Sequence, residues 1–162
     1  MADKAMAVYL NDHLAGAMLG SDLAEQVRNQ NEGTPLGDVM GSIAPQIEED
    51  RQTLIDLMER MGTSKNPVKQ ATGWVAEKAS RVKFSGIVSG EPDQGAFMAL
   101  ESLTLGVEGK ASMWKALKEV AGEYPPLAST KLEELINRAE AQHGVLERER
   151  LAAGRRALGS HG

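Results

Sequence analysis

The sequence predicts an all-α protein: four long helices in an up-down bundle, with a short helix in the long crossover between the second and third. Three observations carry that expectation. Apolar residues recur three and four positions apart through four long stretches, the period of a helix that buries one face. Helix start and stop residues punctuate those stretches, tightly at the first and last junctions and over a long segment in the middle. The apolar set is rich in Met, Leu and Ala, and aromatics are only 4% of the chain, which suits a core of flexible aliphatic side chains.

The first helix is expected over about residues 4–29, where Met6, Leu10, Leu14, Ala17 and Ala24 fall at helical spacing. The cluster Asn29-Gln30-Asn31-Glu32-Gly33 then turns the chain. Thr34-Pro35 restarts it, threonine as the N-cap and proline at the first helical position. The second helix carries Ile43, Ile47, Asp50, Leu54, Leu57 and Met61 on one stripe and stops at Gly62. Pro45 inside it predicts either a kink or a later start.

Asn66-Pro67 repeats the cap-plus-proline signal and opens a shorter helix. Ala71, Trp74, Val75, Ala79 and Val82 lie on one side of it, and Lys69, Lys78, Arg81 and Lys83 on the outer face. A loop follows over about residues 85–95. The third long helix is expected over about residues 96–121, with Leu100, Leu103, Val107, Trp114 and Leu117 as its stripe and Gly122 at its end. After Tyr124-Pro125-Pro126, Thr130 and Glu133 form a capping box. The last helix carries Leu132, Leu135, Ile136, Ala139, His143 and Leu146, and fades into the Arg/Glu-rich stretch 147–156. One domain over residues 4–157 accounts for the whole pattern, with a disordered tail at 158–162.

Composition excludes several classes. The chain has no cysteine, so no disulfide, thiolate zinc site or cysteine nucleophile. Net charge is −5 with both signs mixed, unlike the basic domain of a nucleic-acid binder. No stretch approaches the roughly 18 apolar residues that a membrane span needs, and the first residues lack the pattern of a signal peptide. The expectation is therefore a cytoplasmic protein with neither nucleic acid nor membrane as partner. Homodimerisation through helix faces is open, with Val39, Met40 and Met98 as the apolar residues expected outside.

Polar residues on the apolar stripes carry the chemistry. His13 lies between Leu10 and Ala17, Asp50 between Ile47 and Leu54, and His143 between Ala139 and Leu146. Residues facing each other in an antiparallel pair have a constant index sum. The first turn therefore sets His13 near Arg51, and the last sets Glu108 near Glu140 and His143. All four long helices thus bring ionisable groups to mid-height. Burying such groups alone costs several kcal/mol, so they must be paired or metal-bound. Glu140-x-x-His143 places a carboxylate and an imidazole on one side of a helix.

With this wiring, with residues 100–110 (LESLTLGVEGK) and with Glu140-x-x-His143, the chain resembles the ferritin-like superfamily, especially its small bacterial members, over about residues 4–155. In metal-binding members, helices one and three each give a Glu and helices two and four each give Glu-x-x-His. The resemblance implies Glu108, Glu140 and His143 as ligands in the second half, with Glu101 an alternative to Glu108. The first half departs from the pattern. His13 stands where a Glu is expected, and Glu48-Glu49-Asp50-Arg51 stands where Glu-x-x-His is expected. Arginine cannot ligate a metal, because it stays protonated.

Two readings follow. In the first, the metal site is degenerate, Arg51, Glu101 and Lys110 join the carboxylates in a polar core network, and the protein is a structural or interaction module. In the alternative, His13, Glu48, Asp50, Glu108, Glu140 and His143 hold iron or manganese for redox, oxygen or peroxide chemistry.

Overall fold

The structure is a computed structural model and describes residues 3–66 and 92–160. Four long helices dominate it: α1 (Lys4–Gln30), α2 (Pro35–Arg60), α3 (Pro92–Glu119) and α4 (Leu132–Leu158). A 3-10 turn at Ala121–Glu123 and one helical turn at Pro125–Ala128 join α3 to α4, and no strand occurs among the described residues. The expected crossover helix with Trp74 lies outside the described residues.

Local chemistry sets most helix ends. Asp3 caps α1 by accepting a hydrogen bond from the Met6 amide at 2.8 Å. The Thr34 hydroxyl accepts from the Gly37 amide at 3.1 Å, with Pro35 opening α2. Gly62, at φ +66°, ends α2 in a Schellman arrangement: its amide donates to the Glu59 carbonyl and that of Thr63 to the Met58 carbonyl. Pro45 does not break α2. Pro45 and Gly41 are both exposed, so the Gly41 carbonyl that loses its amide donor faces water. The capping box expected of Thr130 and Glu133 does not form, and Lys131 is the residue before α4. The Thr130 hydroxyl instead donates to the Pro126 carbonyl at 2.7 Å and accepts from Arg60 at 2.9 Å. The last helix runs on through the Arg/Glu-rich stretch to Leu158.

Helices that lie against each other pack antiparallel, while α2 and α3 share one direction. One apolar cluster joins the C-terminal half of α1 to the N-terminal halves of α2 and α3 and the C-terminal half of α4, through Val27, Met40, Leu100 and Leu146 among others. A second joins the opposite halves, through Leu10, Leu57, Trp114, Leu127 and Ile136. So α1 and α4 run one way, and α2 and α3 the other. Met40, expected on the outside, is fully buried in the first cluster, whereas Met98 is exposed. α1 lies along α2, α3 lies along α4, and α1 also meets α3. Near the start of α3, Phe97 packs against Gly154, where a Cβ would come within 2.9 Å of the ring. No described helix is long and apolar enough to cross a membrane.

Candidate functional site

Between the two apolar clusters lies a polar layer at mid-height. Its centre is Asp50 on α2, 3% exposed. Three side chains from the other half of the molecule converge on it. Lys110 of α3 places Nζ 2.6 Å from Asp50 Oδ2 and also donates to Gln142 Oε1. Gln142 of α4, 1% exposed, donates through Nε2 to Asp50 Oδ2 at 2.9 Å and to Gln46 Oε1 at 3.3 Å. Arg138, one turn earlier on α4, brings Nε to 3.2 Å from Asp50 Oδ1. That approach is a charge contact outside hydrogen-bond alignment. Its Nη2 donates to the Gln46 carbonyl at 2.9 Å and to Glu49 at 3.0 Å.

This layer is how α2 meets α4, since few other contacts join those helices. A lone buried carboxylate would cost several kcal/mol, and here two cations and an amide offset that cost. Burial pushes the Lys110 ammonium below its ordinary pKa, against the upward pull of Asp50. The low-dielectric surroundings therefore outweigh the attraction of the partner. Arg138 moves the other way, raised first by its hydrogen bond to Glu49.

The sequence-predicted site residues do not gather in one place. Asp50 and Lys110 meet in the layer. Arg51, expected as the internal cation, turns to the partly open side of α2. Its Nε donates to Glu48 at 2.9 Å, and the Ser21 hydroxyl donates to the same carboxylate. Those bonds, Arg51's first, hold the Glu48 carboxyl down at about 2. Glu108 and Glu140 are exposed, and Glu140 pairs with Lys115 on α3 at 2.7 Å. His143 is half-buried. Glu101, also exposed, pairs with Arg150 at 3.2 Å. His13 is half-buried with its ring edge-on to Tyr9 at 4.7 Å, and burial lowers its pKa. Among the described residues no three His, Asp or Glu side chains come together as a metal site would require. Asp50, the one buried carboxylate among the described residues, already has its charge matched by Lys110 and Arg138, so these residues do not fit the two-metal pattern that the resemblance implies.

Gln142 and Arg138 are the members that sequence reasoning missed. Positions 142 and 143 both lie between Ala139 and Leu146 at helical spacing, so periodicity alone does not choose between them. Asp50 on an apolar stripe was the available signal, because it demands cations from the facing helices.

Beside the layer, α1 and α3 part to leave a cavity of about 290 Å³ with α2 as its floor. Gly16 and Gly20 of α1 and Gly106 and Gly109 of α3 line it, and a Cβ added to any of them would meet nothing within 4 Å. Asp50, Lys110 and Trp114 also reach its lining. The Trp114 indole is fully buried and its N–H has no hydrogen-bond partner among the described residues.

No protein-family model, curated protein or solved structure matches this chain.

Proposed function

We propose that this protein is a ferritin-like four-helix bundle with a short helix in its crossover, its centre held by a built-in cation, and that it acts as a structural or interaction module. The observation that carries this reading is the Lys110 ammonium 2.6 Å from Asp50 in the buried mid-layer. In metal-binding bundles, inward carboxylates from facing helices are balanced by metal ions at that height. Here a lysine and an arginine balance a single carboxylate, and the acids of the Glu140-x-x-His143 region face outward. The shared direction of α2 and α3, opposite to that of α1 and α4, supports a wiring with one long crossover.

Elemental analysis tests the reading directly. Protein made in iron- and manganese-replete medium and purified without chelator should carry neither metal stoichiometrically. Its melting temperature should not move when either metal is added. Iron or manganese at about one or two atoms per chain, lost in a Glu140→Ala/His143→Ala variant, would overturn it in favour of a metal-dependent redox protein.

A further inference from the structure

Building on the interaction-module reading above, we propose that the outer face of α4 docks the same face of a second copy of this chain, packed antiparallel about a twofold axis. Leu151 and Leu158, 51% and 70% exposed, are the most exposed large apolar side chains among the described residues. They stand two helical turns apart, so they share one side of the helix. Ala141, Gly144, Arg148 and Arg155 fall on the same side at alternating three- and four-residue steps, opposite the buried Ala139, Leu146 and Ala153.

Charge selects that occupant and its direction. Residues 132–145 carry three glutamates and one arginine, and residues 146–158 carry four arginines and two glutamates. An antiparallel copy sets each acidic half against a basic one, whereas a parallel copy sets like against like. Arg150 and Arg156 already pair within the chain, with Glu147 and Asp93. Arg148 and Arg155 are exposed and have no ion-pair partner among the described residues. With the axis beside Gly144, Glu134 of one copy lies level with Arg155 of the other, and Ala141 with Arg148. The symmetry makes each of these contacts twice. Glu134 can turn to such a partner, because its contact with Lys131 is long, at 3.5 Å, and both side chains are exposed. Leu151 then lies level with Asn137, and Leu158 with the carbon stem of Lys131. Gly144 fills no need of its own chain, since a Cβ there would meet nothing within 4 Å. At the axis its missing side chain lets two backbones approach.

Sedimentation equilibrium of the full-length protein tests the pairing, with circular dichroism to confirm the fold of each variant. The wild type should be a dimer. Glu134→Arg and Arg155→Glu should each weaken the dimer by about tenfold or more, because each turns two attractions into repulsions. Glu134→Arg combined with Arg155→Glu should restore it, since the pairs re-form with signs exchanged. The chain has no cysteine, so introduced thiols give a second reading. Ala141→Cys with Arg148→Cys should oxidise to a disulfide-linked dimer, while Ala141→Cys with Leu158→Cys, ~15 Å out of level, should not. A monomeric wild type, or a dimer that neither single reversal weakens, would overturn the proposal and leave α4 to another partner or to solvent. Neither result touches the metal-free reading, which stands or falls on the elemental analysis.

Discussion

Replacing Lys110 with Met removes the ammonium and keeps most of the stem that reaches it to the layer. Asp50 would keep the Gln142 amide at 2.9 Å and the Arg138 guanidinium at 3.2 Å, and would lose its closest charged donor. Gln142 Oε1 would lose a donor as well. Removing one partner of a buried pair costs about 3–5 kcal/mol when nothing replaces it. Arg138 remains and Lys110 is 15% exposed, so we expect a loss of ~2–4 kcal/mol for Lys110→Met. Asp50→Leu combined with Lys110→Met removes both members of the pair and leaves Arg138 to Glu49, so it should recover part of that loss. The assay is urea unfolding of the two single variants and the double variant, with slopes checked for agreement. The singles should lose more than the double, with a coupling of ~2 kcal/mol or more. A Lys110→Met loss under about 1 kcal/mol, or a double loss equal to the sum of the singles, would refute the reasoning that this pair is buried and mutually dependent.

Further expectations concern pH and the outer residues. The folded Lys110 pKa lies below its unfolded value, so the unfolded chain keeps a proton that the folded one has released. Stability from this group should therefore rise as pH climbs through that window towards 10.5, and alkaline urea melts of wild type against Lys110→Met should show the difference. Glu48 behaves oppositely: its carboxyl is held at about 2, so its contribution is present above 4.5 and lost as pH falls towards 2. Because that side chain is 48% exposed, Glu48→Gln should cost under ~1 kcal/mol and flatten only the acid limb of a stability–pH curve. Glu140→Ala should cost under ~1 kcal/mol in the same melts, since both members of its pair with Lys115 are more than half exposed. Gly37→Ala should destabilise by ~1–3 kcal/mol, measured by thermal melting, because the new Cβ would stand 2.0 Å from the Asn31 carbonyl oxygen and the backbone must shift.

Helices were legible in the sequence wherever the signal was local. Thr34-Pro35 and Gly62 act as the residue types require, because caps depend on a few neighbouring backbone groups. The Thr130 cap failed because Arg60, about seventy positions away in sequence, and the Pro126 carbonyl compete for its hydroxyl. Pro45 pointed to a kink or a later start, and α2 instead starts at Pro35 and runs on through it. Asp50 and Lys110 were legible as polar residues on apolar stripes. The choice of Gln142 over His143 was not, since one residue of rotation about α4 separates them and the packing of α3 and α2 decides it. Arg51 points away from the layer because Glu48, three residues earlier on the same helix and itself bonded by the Ser21 hydroxyl of α1, holds it at the side.

Asn11 bears on the order in which the molecule assembles. Its one amide group holds the Ala7 carbonyl, the Ser64 carbonyl and the Asn66 N–H at once, linking positions 55 apart in sequence. Those contacts exist only when α1 and α2 are already side by side and the Schellman turn at Gly62 has closed. The first two helices and the strand of chain to residue 66 thus form a hairpin with its own latch, independent of α3 and α4. Such a unit can open and close as a foldon. The Asn66 amide should then exchange its hydrogen with the slow amides of that hairpin rather than with the fast ones of a loop, which makes it a single-site reporter of whether the two halves of the protein come apart together or in turn.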